Sequence, residues 1–234
     1  FDVIKRKNTL HLSGTPFKQL ANEKFPKEAI FNWTYLDEQK IKQLELEEGE
    51  SGEHTDMPDL KLFTYRISQM ITEQVNEGIE IDNTNHDYAF DLNEFFRAKD
   101  KKFAHEEDVK EFLKNLTTNK KYPFSTPELR EELKHTFWYV GNRVESVKAL
   151  EQLLKKDAVF KEYEIIVAAG DGRSFEEEEN DFKSNESSFK KVKDAIAKHD
   201  KTITLSCGQL TTGVTIKEWT AVLMLTDIKT PSLY

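Results

Sequence analysis

The residues best suited to chemistry in this chain form a loop rich in glycine and threonine. Gly208-Gln209-Leu210-Thr211-Thr212-Gly213-Val214-Thr215 lies between a β-rich stretch, Ile203-Thr204-Leu205-Ser206, and a continuous apolar run, Thr220-Ala221-Val222-Leu223-Met224-Leu225. Glycine lets backbone N–H groups approach a phosphate closely, and the short hydroxyls of Thr211, Thr212 and Thr215 suit phosphate oxygens. Parallel α/β sheets place their working surface at loops that follow short buried strands. Gly141-Asn142-Arg143 is a second place of this kind. There a strand turns into a helix, whose N-terminus can take a backbone phosphate.

Other candidate constellations read differently. No G-x-x-x-x-G-K-[ST] and no G-x-G-x-x-G occurs, which excludes an autonomous phosphate-loop enzyme. Asp37-Glu38 has the look of a magnesium-binding pair, but Asn32 and Thr34 before it spoil a buried strand. It reads as the start of a surface helix. Pro58-Asp59 with Asp100-Lys101-Lys102 formally matches a nuclease that needs two acids and a lysine around a metal. The six histidines are scattered, with no pair at metal-ligand spacing. Cys207 closes a strand with no histidine near it in sequence, and reads as a buried, inert thiol.

The elements that must hold these residues follow from periodicity. From His135 onward, strands alternate with helices. Thr136-Phe137-Trp138-Tyr139-Val140 is a buried strand, and residues 144–154 form an amphipathic helix with Val147, Leu150, Leu153 and Leu154 on one side. Residues 163–169 are the next strand, ended by Gly170-Asp171-Gly172. Residues 173–184, with four consecutive glutamates, read as a solvated loop, and 187–199 as a helix. That order predicts a parallel sheet with right-handed crossovers. Earlier, Thr9-Leu10-His11-Leu12 and the alternating run 58–66 read as strands, the latter at the sheet edge. The aromatic run 31–35 is expected to pack on a neighbour. Helices are expected from Leu36, over 69–77, and in two pieces across 91–116, with 78–87 as a turn. Thr126 and Pro127 open a further helix as cap and first residue.

Composition bounds the function. The chain has 234 residues, 37% hydrophobic and 33% charged, and its formal net charge is -9. An acidic total argues against strong DNA binding by this chain alone, though a local basic groove stays possible in principle. No apolar run approaches the length of a bilayer span, so no membrane partner is expected. A single cysteine excludes an intrachain disulfide and a multi-cysteine zinc site, and points to a cytoplasmic location.

Three segments in order resemble one family. Leu12-Ser13-Gly14-Thr15-Pro16-Phe17 is similar to the third motif of superfamily 2 helicases and translocases, in the form used by restriction-enzyme motor subunits. Phe137-Trp138-Tyr139-Val140-Gly141-Asn142-Arg143 resembles the fourth motif, and the segment 205–216 resembles the fifth. The resemblance implies an α/β fold: a RecA-like parallel sheet flanked by helices, forming a partial lobe behind a mainly helical N-terminal insertion. It divides the chain into 1–17, the end of a first motor lobe; 18–134, a helical connector with one strand; and 135–234, a truncated second lobe. It assigns Thr212, Gly213 and Thr215 to the ATP phosphates, and Thr211, Asn142 and Arg143 to the nucleic-acid backbone. Ser13, Gly14 and Thr15 would couple the lobes. ATP and Mg2+ are expected in an intact parent, and no cofactor in this chain alone. The implied partners are DNA, the first motor lobe, and modification or specificity subunits. The phosphate loop, the Asp-Glu pair and the arginine finger of such motors are expected outside this stretch, which by itself should not hydrolyse ATP. Two other readings stay open: a nuclease domain built on Pro58-Asp59, and a non-catalytic module that binds a protein through its acidic helical insertion.

Overall fold

The computed structural model describes residues 7–14, 25–65, 91–141, 143–169, 178–211 and 213–227, with the backbone alone over 178–184. The chain forms two compact units, residues 1–65 with 230–234, and residues 66–229. The sequence-predicted helix 69–77, the turn 78–87 and Gly170-Asp171-Gly172 lie outside the described residues.

In the first unit, helix α1 spans Tyr35–Glu48. Thr34 caps it: its hydroxyl accepts from the Asp37 N–H while the Asp37 carboxylate accepts from the Thr34 N–H. These reciprocal bonds satisfy donors that a helix start leaves open. Gly49, at φ +74, ends the helix in the left-handed region that favours glycine. The following loop folds back on α1, as Lys42 Nζ donates to Met57 O and to Asp59 Oδ1, and the Leu60 N–H donates to Tyr35 Oη. Three expectations fail here. Residues 9–12 and the described part of 58–66 are irregular, not strands. Alternation makes a strand only where another strand takes its backbone groups, and among the described residues none does so here. Phe31 is 86% exposed, and among the described residues Trp33 is the ring stacked beside it, at 6.3 Å.

The second unit opens with a short helix, α2 (Leu92–Phe95), whose first N–H groups are capped by Asp91. A hairpin follows, β1 (Ala98–Lys99) against β2 (Lys102–Phe103), between the two expected helical pieces. Helix α3 (Glu106–Thr118) buries Val109, Phe112, Leu113 and Leu116, so its apolar spacing finds a core as predicted. Phe95, Phe96, Phe103 and Phe112 meet edge to face, which joins α2, the hairpin and α3. Helix α4 (Pro127–Glu132) starts at the Thr126 cap with proline inside its first turn, again as read from sequence.

The sheet is built from β3 (His135–Tyr139), β4 (Glu164–Ala168), β5 (Thr202–Ser206) and β6 (Ala221–Met224). All pair in parallel, in the order β4-β5-β3-β6. Helix α5 (Val144–Leu154) links β3 to β4, and α6 (Glu178–Lys198) links β4 to β5. The structure thus has the expected α/β architecture, a parallel sheet flanked by helices. One boundary differs: residues 178–184 belong to α6, not to a loop. Glutamate is a good helix former, and a charge run at the start of a helix agrees with the macrodipole.

Register assigns the two faces. Phe137 pairs with Thr204 and Val222, and Tyr139 with Ser206 and Met224, so these side chains share one face. On it, Phe137, Tyr139, Ile166 and Ala168 pack with Val192 of α6 and with Leu210 and Ile216. The connection from β5 to β6 has no helix among its described residues; Leu210, Val214, Ile216 and Trp219 anchor it to this face instead. On the other face, Trp138 is fully buried among Phe124 and Phe160, with ring centroids at 5.6 and 5.4 Å, and its indole N–H donates to Thr136 Oγ1. Tyr163 joins this cluster through Phe124 and Phe160, and burial pushes its phenol up to about 12. Phe124 comes from the segment before the sheet, so residues 91–134 help build the sheet's core. Trp138→Ala should therefore cost about 3–5 kcal/mol of stability, the range for emptying a buried aromatic site. Urea unfolding of the chain measures it, and a loss below 1 kcal/mol, about the effect of a surface change, would contradict this packing.

Candidate functional site

Parallel strands end on the same edge, and register brings Tyr139, Ala168, Ser206 and Met224 level with one another. The segments leaving β3, β5 and β6 therefore gather at one edge of the sheet. Arg143, Thr211 and Gly213 lie on these exits, and Thr215 lies further along the connection from β5. Asn142 and Thr212 lie outside the described residues.

The exit from β3 is tightly built. The Val140 N–H donates to Ser206 O, which extends the pairing one residue past the strand. Gly141 then takes φ +68, and a β-carbon there would lie 3.1 Å from both Asn93 Oδ1 and Thr226 Oγ1. Those two atoms are bonded to each other, Thr226 donating at 2.6 Å. Beside them the Leu92 N–H donates to Asp227 Oδ2 at 2.8 Å. Helix α2 is thereby latched to the exit of β6, directly over the turn at Gly141. Arg143 is the N-terminal cap residue of α5, exposed and with no side-chain capping bond. Among the described residues its guanidinium has no ion pair. Asn93, Thr226 and Asp227 were not singled out from sequence. The helical piece expected from residue 91 was the nearest reading to this latch.

The exit from β5 is stitched to itself and to α6. Ser206 Oγ donates to Gln209 O and accepts from the Gly208 N–H. Ser188 Oγ donates to Gln209 Oε1 at 2.6 Å, and the Leu210 N–H donates to Asn185 Oδ1 at 3.2 Å. Leu210 is buried at φ +62, a left-handed conformation held in place by those bonds and by its side-chain packing. Thr211 Oγ1 donates to Gly208 O at 2.8 Å, so its hydroxyl must give up this bond before it can donate to a phosphate. Gly213 is exposed at φ +72, with no atom within 4 Å of a built β-carbon. Glycine is needed there for backbone conformation, and the space above it is open. Thr215 is exposed. Cys207 is buried, and desolvation pushes its thiol pKa up, which disfavours a nucleophilic thiolate.

The remaining predicted residues are placed as follows. Ser13 and Gly14 lie in the first unit on irregular, exposed chain, and Thr15 is outside the described residues. Asp37-Glu38 forms the first turn of α1, as expected. Glu38 accepts from Trp33 Nε1 at 2.6 Å and lies 2.5 Å from His54 Nδ1. Asp59 is paired with Lys42 in the first unit, whereas Asp100 and Lys101 form the turn of the hairpin in the second. Among the described residues no three His, Cys, Asp or Glu side chains form a group able to hold a metal. No described helix is long and apolar enough to cross a membrane.

Against known proteins, the chain is similar to a Mycoplasma pneumoniae protein provisionally named as the C-terminus of a type II restriction enzyme and methyltransferase. The two are 26% identical over 249 aligned residues, which cover 97% of this chain. The chain spans about a third of that relative's length. No protein-family profile matches the chain, and no solved structure does.

Two outcomes follow from this geometry. Gly141→Ala should destabilise the chain by about 2 kcal/mol, through backbone strain together with the crowding by Asn93 and Thr226. Gly213→Ala should cost about 1 kcal/mol, from the conformation alone. Equal losses in urea unfolding would contradict the latch over Gly141. His54 provides the second test. Its hydrogen bond to Glu38 raises its pKa above the ordinary 6.5, and the bonds from His54 and Trp33 lower that of Glu38 from 4.5. The contact's stabilisation through His54 is full below 6.5 and is lost as pH rises through the raised value. Through Glu38 it is present above 4.5 and is lost as pH falls through the lowered value. An NMR titration should show His54 titrating above its ordinary value, and Glu38→Gln should lower it. A titration unmoved by the substitution contradicts the pairing.

Proposed function

We infer that this chain contributes one wall of an ATP-driven DNA-translocating motor within a restriction system. The observation that carries the reading is the convergence of the β3 and β5 exits on one edge of a parallel sheet. Both are the segments that resemble motor motifs, and such edges are where open α/β sheets bind their ligands. The Gly213 loop would face the ATP phosphates with Thr212 and Thr215. Phosphoryl transfer depends on positioning and charge stabilisation from both sides of the nucleotide, so a second lobe must supply the opposite wall. Mg2+ would enter with the nucleotide, held by that other wall. Arg143, Asn142 and Thr211 would contact the DNA backbone, where contacts fix register without reading sequence. Ser13, Gly14 and Thr15 would couple the lobes. A restriction system of this kind works on DNA in the cytoplasm, with modification or specificity subunits as further partners.

The likeness to a restriction enzyme and methyltransferase supports the setting, and the motif order supports the motor. The nuclease alternative has less behind it: Asp59 is engaged by Lys42, and Asp100 occupies a turn position that its backbone conformation explains.

Two measurements test the reading. This chain alone should show no DNA-stimulated ATP hydrolysis, and turnover above background would overturn the one-wall assignment. In the intact parent, Gly213→Val should abolish DNA-stimulated hydrolysis, because a β-branched residue resists φ +72. Unchanged turnover would remove the loop from the site.

A further inference from the structure

The hairpin β1–β2 breaks local rules in a way that concentrates positive charge. Lys99 and Lys102 are directly paired across the strands, where like charges repel. The turn between them is Asp100-Lys101, with φ +52 and +60. A two-residue turn with both central residues in the left-handed region favours Asp-Gly or Asn-Gly. Asp100 meets that preference, since a short polar side chain tolerates the conformation. Lys101 stands where glycine would be easier. All three lysines are exposed, and among the described residues none has an ion pair. Elsewhere in the second unit lysines such as Lys110, Lys134, Lys155 and Lys193 are ion-paired, while others, such as Lys120, Lys156 and Lys190, are not among the described residues. What sets the hairpin apart is that three lysines share one two-residue turn and its flanking pair. Departures from local preference of this kind are expected at functional or strained places.

The hairpin's position supplies the context. It lies against α5, and the Lys101 N–H donates to Glu145 Oε2 at 3.0 Å. Glu145 is in the first turn of α5, two residues beyond Arg143. The turn and Arg143 therefore flank the same helix end, on the edge where the strand exits gather. Glu145 is engaged by the turn's backbone and lies 4.0 Å from Lys148, so it is the acid that fixes the hairpin in place.

We propose that Lys99, Lys101 and Lys102 form, with Arg143, a binding surface for the phosphate backbone of duplex DNA. It rests on the reading of Arg143 as a nucleic-acid contact and extends that contact onto the preceding insertion. Mutual repulsion among the lysines is relieved when phosphates neutralise them, and released counterions drive the association. The surface carries no base-reading geometry, so it binds without regard to sequence.

Anisotropy of a labelled duplex DNA with this chain at low salt, alongside thermal unfolding, tests the proposal. Lys101→Gly should weaken binding about three-fold and lower the salt slope by about one counterion, while leaving the melting midpoint equal or higher. A merely structural Lys101 would move both readouts together. Lys99→Gln with Lys102→Gln, which removes the repulsion without touching the turn, should weaken binding about ten-fold. Lys217→Gln, on an exposed segment near the opposite edge of the sheet, should bind as the unmodified chain does. Wild-type binding by the hairpin variants overturns the proposal; if Arg143→Ala still weakens binding, the proposed role of Arg143 survives that result. If neither the hairpin variants nor Arg143→Ala weaken binding, both readings fall. Displacement of the DNA by polyglutamate as readily as by unlabelled duplex assigns the surface to an acidic protein and also overturns it.

Discussion

The second unit depends on β3 being paired on both sides by strands distant from it in sequence. β5 and β6 hold it through parallel ladders, and neither follows it directly in the chain. The chain must therefore leave β3, build β4 beyond β5, return, and then cross back over β3 to reach β6. Each departure begins at the same edge. The gathering of loops there is thus a consequence of the parallel pairing, and of the burial of β3 between two packed faces. Trp138 on one face and Phe137 with Tyr139 on the other make that burial nearly complete. The crossing from β5 to β6 uses a loop with four apolar anchors in place of a helix, which leaves residues around Gly213 open.

Much of this was legible in the sequence where local pattern and tertiary burial agree. The apolar runs of β3, β4 and β5 and the stripe of α5 each have the period of the element they form. The same reasoning failed for residues 9–12 and 58–65, because alternation states what a strand needs without stating that a partner exists. It failed for 178–184 because a run of glutamates suits both a solvated loop and an exposed helix. At the site, Gly141-Asn142-Arg143 was readable as a glycine turn before a helix. The latch that explains why Gly141 must be glycine was not, since Thr226 and Asn93 are 133 residues apart. Likewise nothing local to Thr211 announces that its hydroxyl is spent on Gly208.

Charge distribution connects the fold to the proposed role. The chain is acidic overall, and exposed pairs such as Lys155 with Glu151 are worth little to stability. Their effect is to neutralise some of the lysines on the second unit's surface. Arg143, Lys99, Lys101 and Lys102, which have no ion pair among the described residues, bring four cations to one end of α5 beside Glu145. The hairpin belongs to the segment expected to be an insertion, yet α2, the hairpin and Phe124 are built into the sheet's surroundings. Residues 91–134 therefore help to build the end of the sheet where β3, β5 and β6 finish.

The central claim is that the edge where β3, β5 and β6 end is the working edge. Amide chemical-shift mapping of the labelled chain, titrated with duplex DNA at low salt, tests it most directly. The account predicts shifts over 98–103, 141–146 and 208–215. It predicts none at the opposite edge, around Lys134, His135, Lys201 and Thr220. Shifts confined to that opposite edge, or no shifts at all, would contradict it.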